Sequence, residues 1–164
     1  MCLKIERSQH AVSAISAAVE KYGISEAIAE SFIADFEEYK RISIDYDDVP
    51  NPSVSAQFYH PAHIDTIGRD KLMDWPDEAR AEDVHHVHLW QTGCVWEDED
   101  EGLNVQWDCT SDSFIIYSYF KDKDSDHHFY IIDFLFDQAH TIIEDSEQIL
   151  KWVELARQHR EANT

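Results

Sequence analysis

The sequence predicts an α+β fold: an N-terminal helical hairpin, a mainly antiparallel sheet of four to five strands, and a C-terminal helix. Three observations lead there. Apolar residues recur at helical spacing over positions 1–41, alternating or continuous apolar runs fill 83–136 between polar turns, and a capped amphipathic pattern returns after Asp145. Nothing repeats internally, and 164 residues suit a single domain with its own core.

Ser8 is placed to cap a helix running to about Tyr22, with Val12, Ile15, Ala18, Val19 and Tyr22 on one stripe and Gly23 to end it. Ser25 caps a second helix to about Arg41, with Ile28, Phe32, Ile33, Phe36 and Tyr39 inward. The short junction makes the pair a hairpin or one kinked helix. Over 42–66 the pattern lapses, and Pro50, Pro52 and Pro61 with Asn51, Ser53 and Ser55 predict a long loop, docked through Tyr46, Phe58 and Tyr59. Gly68-Arg69-Asp70 continues that loop. Strands follow at about Asp83–Gln91, Cys94–Trp96, Leu103–Trp107, Ser113–Phe120 and His128–Phe136. The acidic run 97–101 before Gly102, and the polar stretch 121–126, read as solvated hairpin tips. Phe114–Tyr117 and Phe129–Ile132 are apolar on both faces, as in the centre of a covered sheet. Asp145 with Gln148 has the capping-box spacing and opens a final helix over 146–161, packed through Ile149, Leu150, Val153 and Ala156.

The chain carries 34 acidic against 13 basic residues, a formal net charge of −21, which repels phosphate backbones at long range while leaving room for a local cationic patch. Such acidity fits high solubility, a basic partner such as an antitoxin, or imitation of nucleic acid. The first residues lead into no long apolar run and no stretch is long enough to span a bilayer, so a cytoplasmic protein is expected. Cys2, Cys94 and Cys109 lack metal-knuckle spacing and read as free thiols.

Scarce cations and imidazoles gather between Ile67 and Leu89. If Val87 and Leu89 face the core, strand alternation puts His85 with them and places His86 and His88 together on the other face. That pair has three readings: polar residues satisfied by neighbours, two metal ligands awaiting a third from His127, His128 or His140, or an acid–base pair. Arg69, freed by Gly68, matches a phosphate, and Lys71 adds a point charge. The alternative for Arg69 is pairing with Asp70 or Asp74. An Arg, a Lys and two His on one surface can cleave RNA with no metal or other cofactor. A base takes the 2′-hydroxyl proton, a cation steadies the phosphorane, and an acid protonates the departing 5′ oxygen.

The order Ala34-Asp35-Phe36, Tyr39-Lys40-Arg41, Gly68-Arg69-Asp70 and Val84-x-His86-Val87-His88-Leu89 resembles the YafO family of toxins. The likeness continues through Ser111-Asp112, Tyr117, the region of His140 and the C-terminal helix, covering roughly 25–160. It implies the toxin of a type II toxin–antitoxin pair on a RelE-like fold: a ribosome-dependent endoribonuclease cutting translated mRNA. Its partners would be the ribosome, mRNA and a cognate antitoxin, with no membrane involved. The positions at stake are Arg69, Asp70, His86 and His88. The N-terminal helix over 1–24 and the long 42–66 loop depart from the family pattern. The competing class is a catalytically silent acidic protein, for example an anti-CRISPR or other anti-defence inhibitor, occupying a basic nucleic-acid-binding protein. Its surface would comprise Asp45, Asp47, Asp48, the run Glu97, Asp98, Glu99, Asp100 and Glu101, and Asp122, Asp124 and Asp126.

Overall fold

The computed structural model describes residues 1–164. Its strands are β1 (Leu3–Arg7), β2 (Ile67–Leu72), β3 (Val84–Leu89), β4 (Glu97–Asp98), β5 (Gly102–Leu103), β6 (Phe114–Lys121) and β7 (His127–Leu135). Five of them form one sheet in the spatial order β1-β7-β6-β3-β2, and β4–β5 is a separate small hairpin. Only the β1–β7 pair is parallel; the other neighbours in the sheet are antiparallel. The architecture is α+β, as expected.

Helices cover both faces. Ser8 caps α1 (Gln9–Tyr22) by accepting the Ala11 N–H, and Gly23 ends it at φ 65, a left-handed position that glycine adopts without a Cβ penalty. Ser25 caps α2 (Glu26–Asp45) in the same way through the Ile28 N–H. Ala11, Ile15, Ile33 and Phe36 from these helices pack on Ile115, Tyr117, Phe129 and Ile131 of the central strands. On the opposite face α6 (Ser146–Ala162) sets Trp152, Val153 and Ile149 against Phe114, Ile116 and Ile132. Asp145 caps α6 by accepting the Glu147 N–H. Two short helices, α4 (Asp77–Ala81) and α5 (Ala139–Ile142), complete that second layer.

Several segments differ from the sequence reading. Leu3–Arg7 is a strand, recruited by β7 although five residues carry little periodic signal. Ile67–Leu72 is the edge strand β2 rather than loop, its backbone paired with β3 despite four polar or glycine residues in six. The 42–66 segment holds the last turn of α2 and a further helix, α3 (Val54–Tyr59). Tyr46, Phe58 and Tyr59 are exposed, and the segment docks instead through Val49 and Ile64, which pack against the core, and through the Asn51 and Gln57 side chains. Cys94–Trp96 and Leu103–Trp107 are not the expected strands. Val95 is exposed, Gln106–Asp108 winds into a single 3₁₀ turn, and the ladder is confined to β4 and β5, flanking the acidic tip.

The outer edge of β2 is closed by side chains. The Gln57 carboxamide accepts the Asp70 N–H at 3.0 Å and donates to the Asp70 carbonyl at 2.8 Å, doing for that residue what a neighbouring strand would do. Asn51 donates to the same carbonyl at 3.0 Å. Further along, the Arg69 N–H bonds the Cys109 carbonyl at 2.9 Å and Gln106 Nε2 bonds the Gly68 carbonyl at 2.9 Å.

Candidate functional site

A bulge in β2 organises the site. Ile67 pairs with Leu89 and Asp70 with Val87, so Gly68 and Arg69 on β2 stand opposite the single His88 on β3. Ile67 and Asp70 thereby both face the α1–α2 side, while Arg69 and Lys71 turn to the other. Gly68 is required at this point: a Cβ there would lie 2.1 Å from the Cys109 carbonyl oxygen and 2.9 Å from the Trp96 ring.

The expected site residues therefore divide. Arg69, Lys71, His86 and His88 line one cleft of about 280 Å³, closed by α5 and the start of α6 and joined there by His140. Asp70 lies on the opposite face of the sheet, fully buried, with Lys40 Nζ at 2.7 Å and the hydroxyls of Tyr39 and Tyr117 at 3.0 and 2.7 Å. Burial pushes Lys40 down to about 8, opposed by the Asp70 carboxylate. Burial first and the Asp70 charge second drive both tyrosines well above their ordinary range. Asp70 is thus a core residue that sets the height of β2, separated by the sheet from the groups it was expected to join.

Within the cleft Arg69 pairs with neither Asp70 nor Asp74. Its guanidinium stacks on Trp107, 4.1 Å from the ring centre, and its Nε–H donates to the Trp107 carbonyl at 2.8 Å. Its two terminal nitrogens have no hydrogen-bond partner in the chain, and no carboxylate bridges it. Burial lowers its proton affinity against a smaller opposing pull from Asp108. Lys71, opposite His86 in register, reaches only the exposed Asp74 at 3.7 Å.

The histidines gather around one aromatic ring. His86, His88 and His140 lie 4.9, 4.4 and 5.1 Å from the Phe114 ring centre, with His86–His88 at 5.8 Å and His88–His140 at 5.6 Å. Burial pushes His86 down to about 4, and burial together with the neighbouring His86 pushes His88 to about 2. Both are neutral imidazoles near pH 7. The Ser111 N–H donates to His88 Nδ1 at 2.8 Å, which places the His88 proton on Nε2 and makes that atom a donor. His85 belongs to the other face, as alternation predicted, stacked on Tyr117 at 4.9 Å. The distant His127 and His128 are engaged with Tyr119 and Asp122, and no three His, Cys, Asp or Glu side chains converge as an ion site.

The acidic residues do not form one surface. Glu97–Glu101 tips the hairpin beside β2, whereas Asp122 and Asp126 are tied to β1 through Lys4 at 3.4 and 3.1 Å. Asp122 also accepts from His128 at 2.7 Å and from the Asp124 and Asp126 amides, so this tip folds inward. A more apolar groove lined by Trp90, Val95 and Trp96 contains no cation or imidazole.

The sequence offers His140 as a possible third metal ligand and within the family likeness, while its pairing with Asp112, distant in sequence, is made by the fold. No helix is long and apolar enough to cross a membrane. Comparison with curated proteins and with solved structures returned no match. A family model described as toxin YafO of type II toxin–antitoxin systems matches residues 38–161, about three quarters of the chain, from the middle of α2 through α6. The chain belongs to the YafO family of type II toxin–antitoxin toxins.

Proposed function

We propose that this toxin is a metal-independent endoribonuclease acting on translated mRNA at the ribosome, through the cleft between β2, β3 and α5. The observation that carries the reading is the Arg69 guanidinium, positioned by Trp107 and in no ion pair with a carboxylate, in the same cleft as Lys71, His86 and His88. In a chain of net charge −21, an Arg69 in no ion pair beside a Lys71 held only by the exposed Asp74 suits an anionic ligand.

In the proposed reaction an imidazole accepts the 2′-hydroxyl proton as the O2′–P bond forms. Arg69 hydrogen-bonds the non-bridging oxygens as charge builds on them, and His88 Nε2–H adds a neutral donor. The P–O5′ bond then breaks, and the Lys71 ammonium protonates the leaving oxygen. The products are a 2′,3′-cyclic phosphate and a 5′-hydroxyl end. A cognate antitoxin is the partner that family membership implies. The cleft's cations address RNA locally, and the ribosome brings the message to them against the long-range repulsion of the acidic surface.

The test is inducible expression in bacteria with mapping of message ends. Wild type should arrest growth and cut messages only while they are translated. Arg69→Ala and His86→Ala should each reduce both effects, and undiminished arrest and cleavage in both variants would refute the site.

A further inference from the structure

The two strand histidines are poor proton carriers: His88 is 2 % exposed and locked as a donor, and His86 has an Nδ1 that is buried without a partner. The third imidazole of the cleft differs. His140 Nδ1 lies 3.0 Å from Asp112 Oδ1, and 58 % of its side chain is open to solvent. Asp112 is itself anchored. Its N–H donates to Gln91 Oε1 at 2.7 Å, its carbonyl accepts the Ala139 N–H at 3.1 Å, and its Oδ1 also accepts the His140 N–H at 2.8 Å. A carboxylate only accepts, so the proton of the neutral ring sits on Nδ1 and the Nε2 lone pair is available. The ring borders the same cleft as Arg69 and Lys71.

We infer that His140 is the general base of the cleft and that Asp112 is its positioning residue. The inference rests on the nuclease reading above. His140 Nε2 takes the 2′-hydroxyl proton while the O2′ electron pair forms the bond to phosphorus, the P–O5′ pair leaves with oxygen, and that oxygen takes its proton from Lys71. The resulting imidazolium is stabilised by Asp112 and returns its proton to solvent. His86 and His88, both neutral, hydrogen-bond the phosphate rather than carry the proton.

The test uses the full-length protein in a purified translation system with a reporter message, comparing wild type with Arg69→Ala, His140→Ala and Asp112→Asn. His140→Ala should lower turnover by about 100-fold or more, the usual contribution of a positioned base, with KM and melting temperature nearly unchanged because the side chain is exposed. Added imidazole should restore part of that loss. Asp112→Asn, which keeps an acceptor for the His140 amide, should lower kcat by about tenfold without rescue by imidazole. If His140→Ala stays within about threefold of wild type while Arg69→Ala loses activity, His140 is not the base and the nuclease reading stands. A raised KM with no response to imidazole likewise overturns the assignment. If wild type does not cleave, or Arg69→Ala is unaffected, the nuclease reading fails and this inference falls with it.

Discussion

Replacing Lys40 by methionine removes one charge from a pair in which both side chains are completely buried, 2.7 Å apart, while keeping most of the stem volume. Asp70 is left with the Tyr39 and Tyr117 hydroxyls, and the Pro50 carbonyl loses its donor at 2.7 Å. Removing one partner of a buried pair costs about 3–5 kcal/mol, whereas removing both costs far less because no charge remains stranded. For a chain of this length that corresponds to a fall in Tm of about 6–20 °C. Urea unfolding of wild type, Lys40→Met, Asp70→Asn and the double variant measures it. The double variant should regain more than half the loss of Lys40→Met. A Lys40→Met loss below about 1 kcal/mol, or a double variant equal to the sum of the singles, refutes the account of the pair. Below its lowered melting temperature Asp70→Asn should retain most of its message cleavage, because the sheet separates Asp70 from the cleft.

Three further outcomes follow from the same geometry. His86 is held near 4 when folded and titrates near 6.5 when unfolded, so the unfolded chain binds the extra proton between those values and stability falls as pH drops through that window. His86→Gln should flatten the wild-type fall, by up to 3 kcal/mol, roughly, at its acid end, read from urea midpoints at pH 7 and pH 4. Gly68→Ala drives a Cβ into the Cys109 carbonyl and should cost about 1–3 kcal/mol in urea unfolding, with a larger loss of cleavage as the Arg69 strand lifts off the 106–109 turn. Arg69→Lys keeps the charge but loses the fork and the stacking on Trp107, and should lower kcat/KM for the reporter message by about 10- to 100-fold.

The parts legible in the sequence were those with local causes. Ser8 and Ser25 cap helices through their own side chains, and the doubly apolar runs of β6 and β7 could belong only to the middle of a sheet. Alternation assigned His85 to one face and His86 with His88 to the other. What escaped depended on distant partners. Residues 67–72 look like loop because their strand character comes from β3 and from the Gln57 carboxamide. Asp70 follows Arg69 directly, so once 67–72 is a strand, alternation sends the two to opposite sides of the sheet, and the bulge, which sequence does not announce, lets Ile67 share the face of Asp70. Asp112 and His140 meet because the start of β6 and α5 are adjacent in space. The Tyr39-Lys40, Asp70 and Tyr117 positions that carried the family resemblance converge on one buried network, so that part of the signature marks architecture more than chemistry.

The Gln57 carboxamide seated on β2 also bars a further strand from that edge. It occupies the Asp70 amide and, with Asn51, the Asp70 carbonyl that an incoming chain would use, so the width of the sheet on this side is set by side chains. A partner cannot reach Arg69 by lengthening the sheet; it must approach across the mouth of the cleft. Loss of Gln57 would leave the Asp70 amide unpaired, with its carbonyl held by Asn51 alone, and the chain would acquire a short stretch of edge for joining others of its kind.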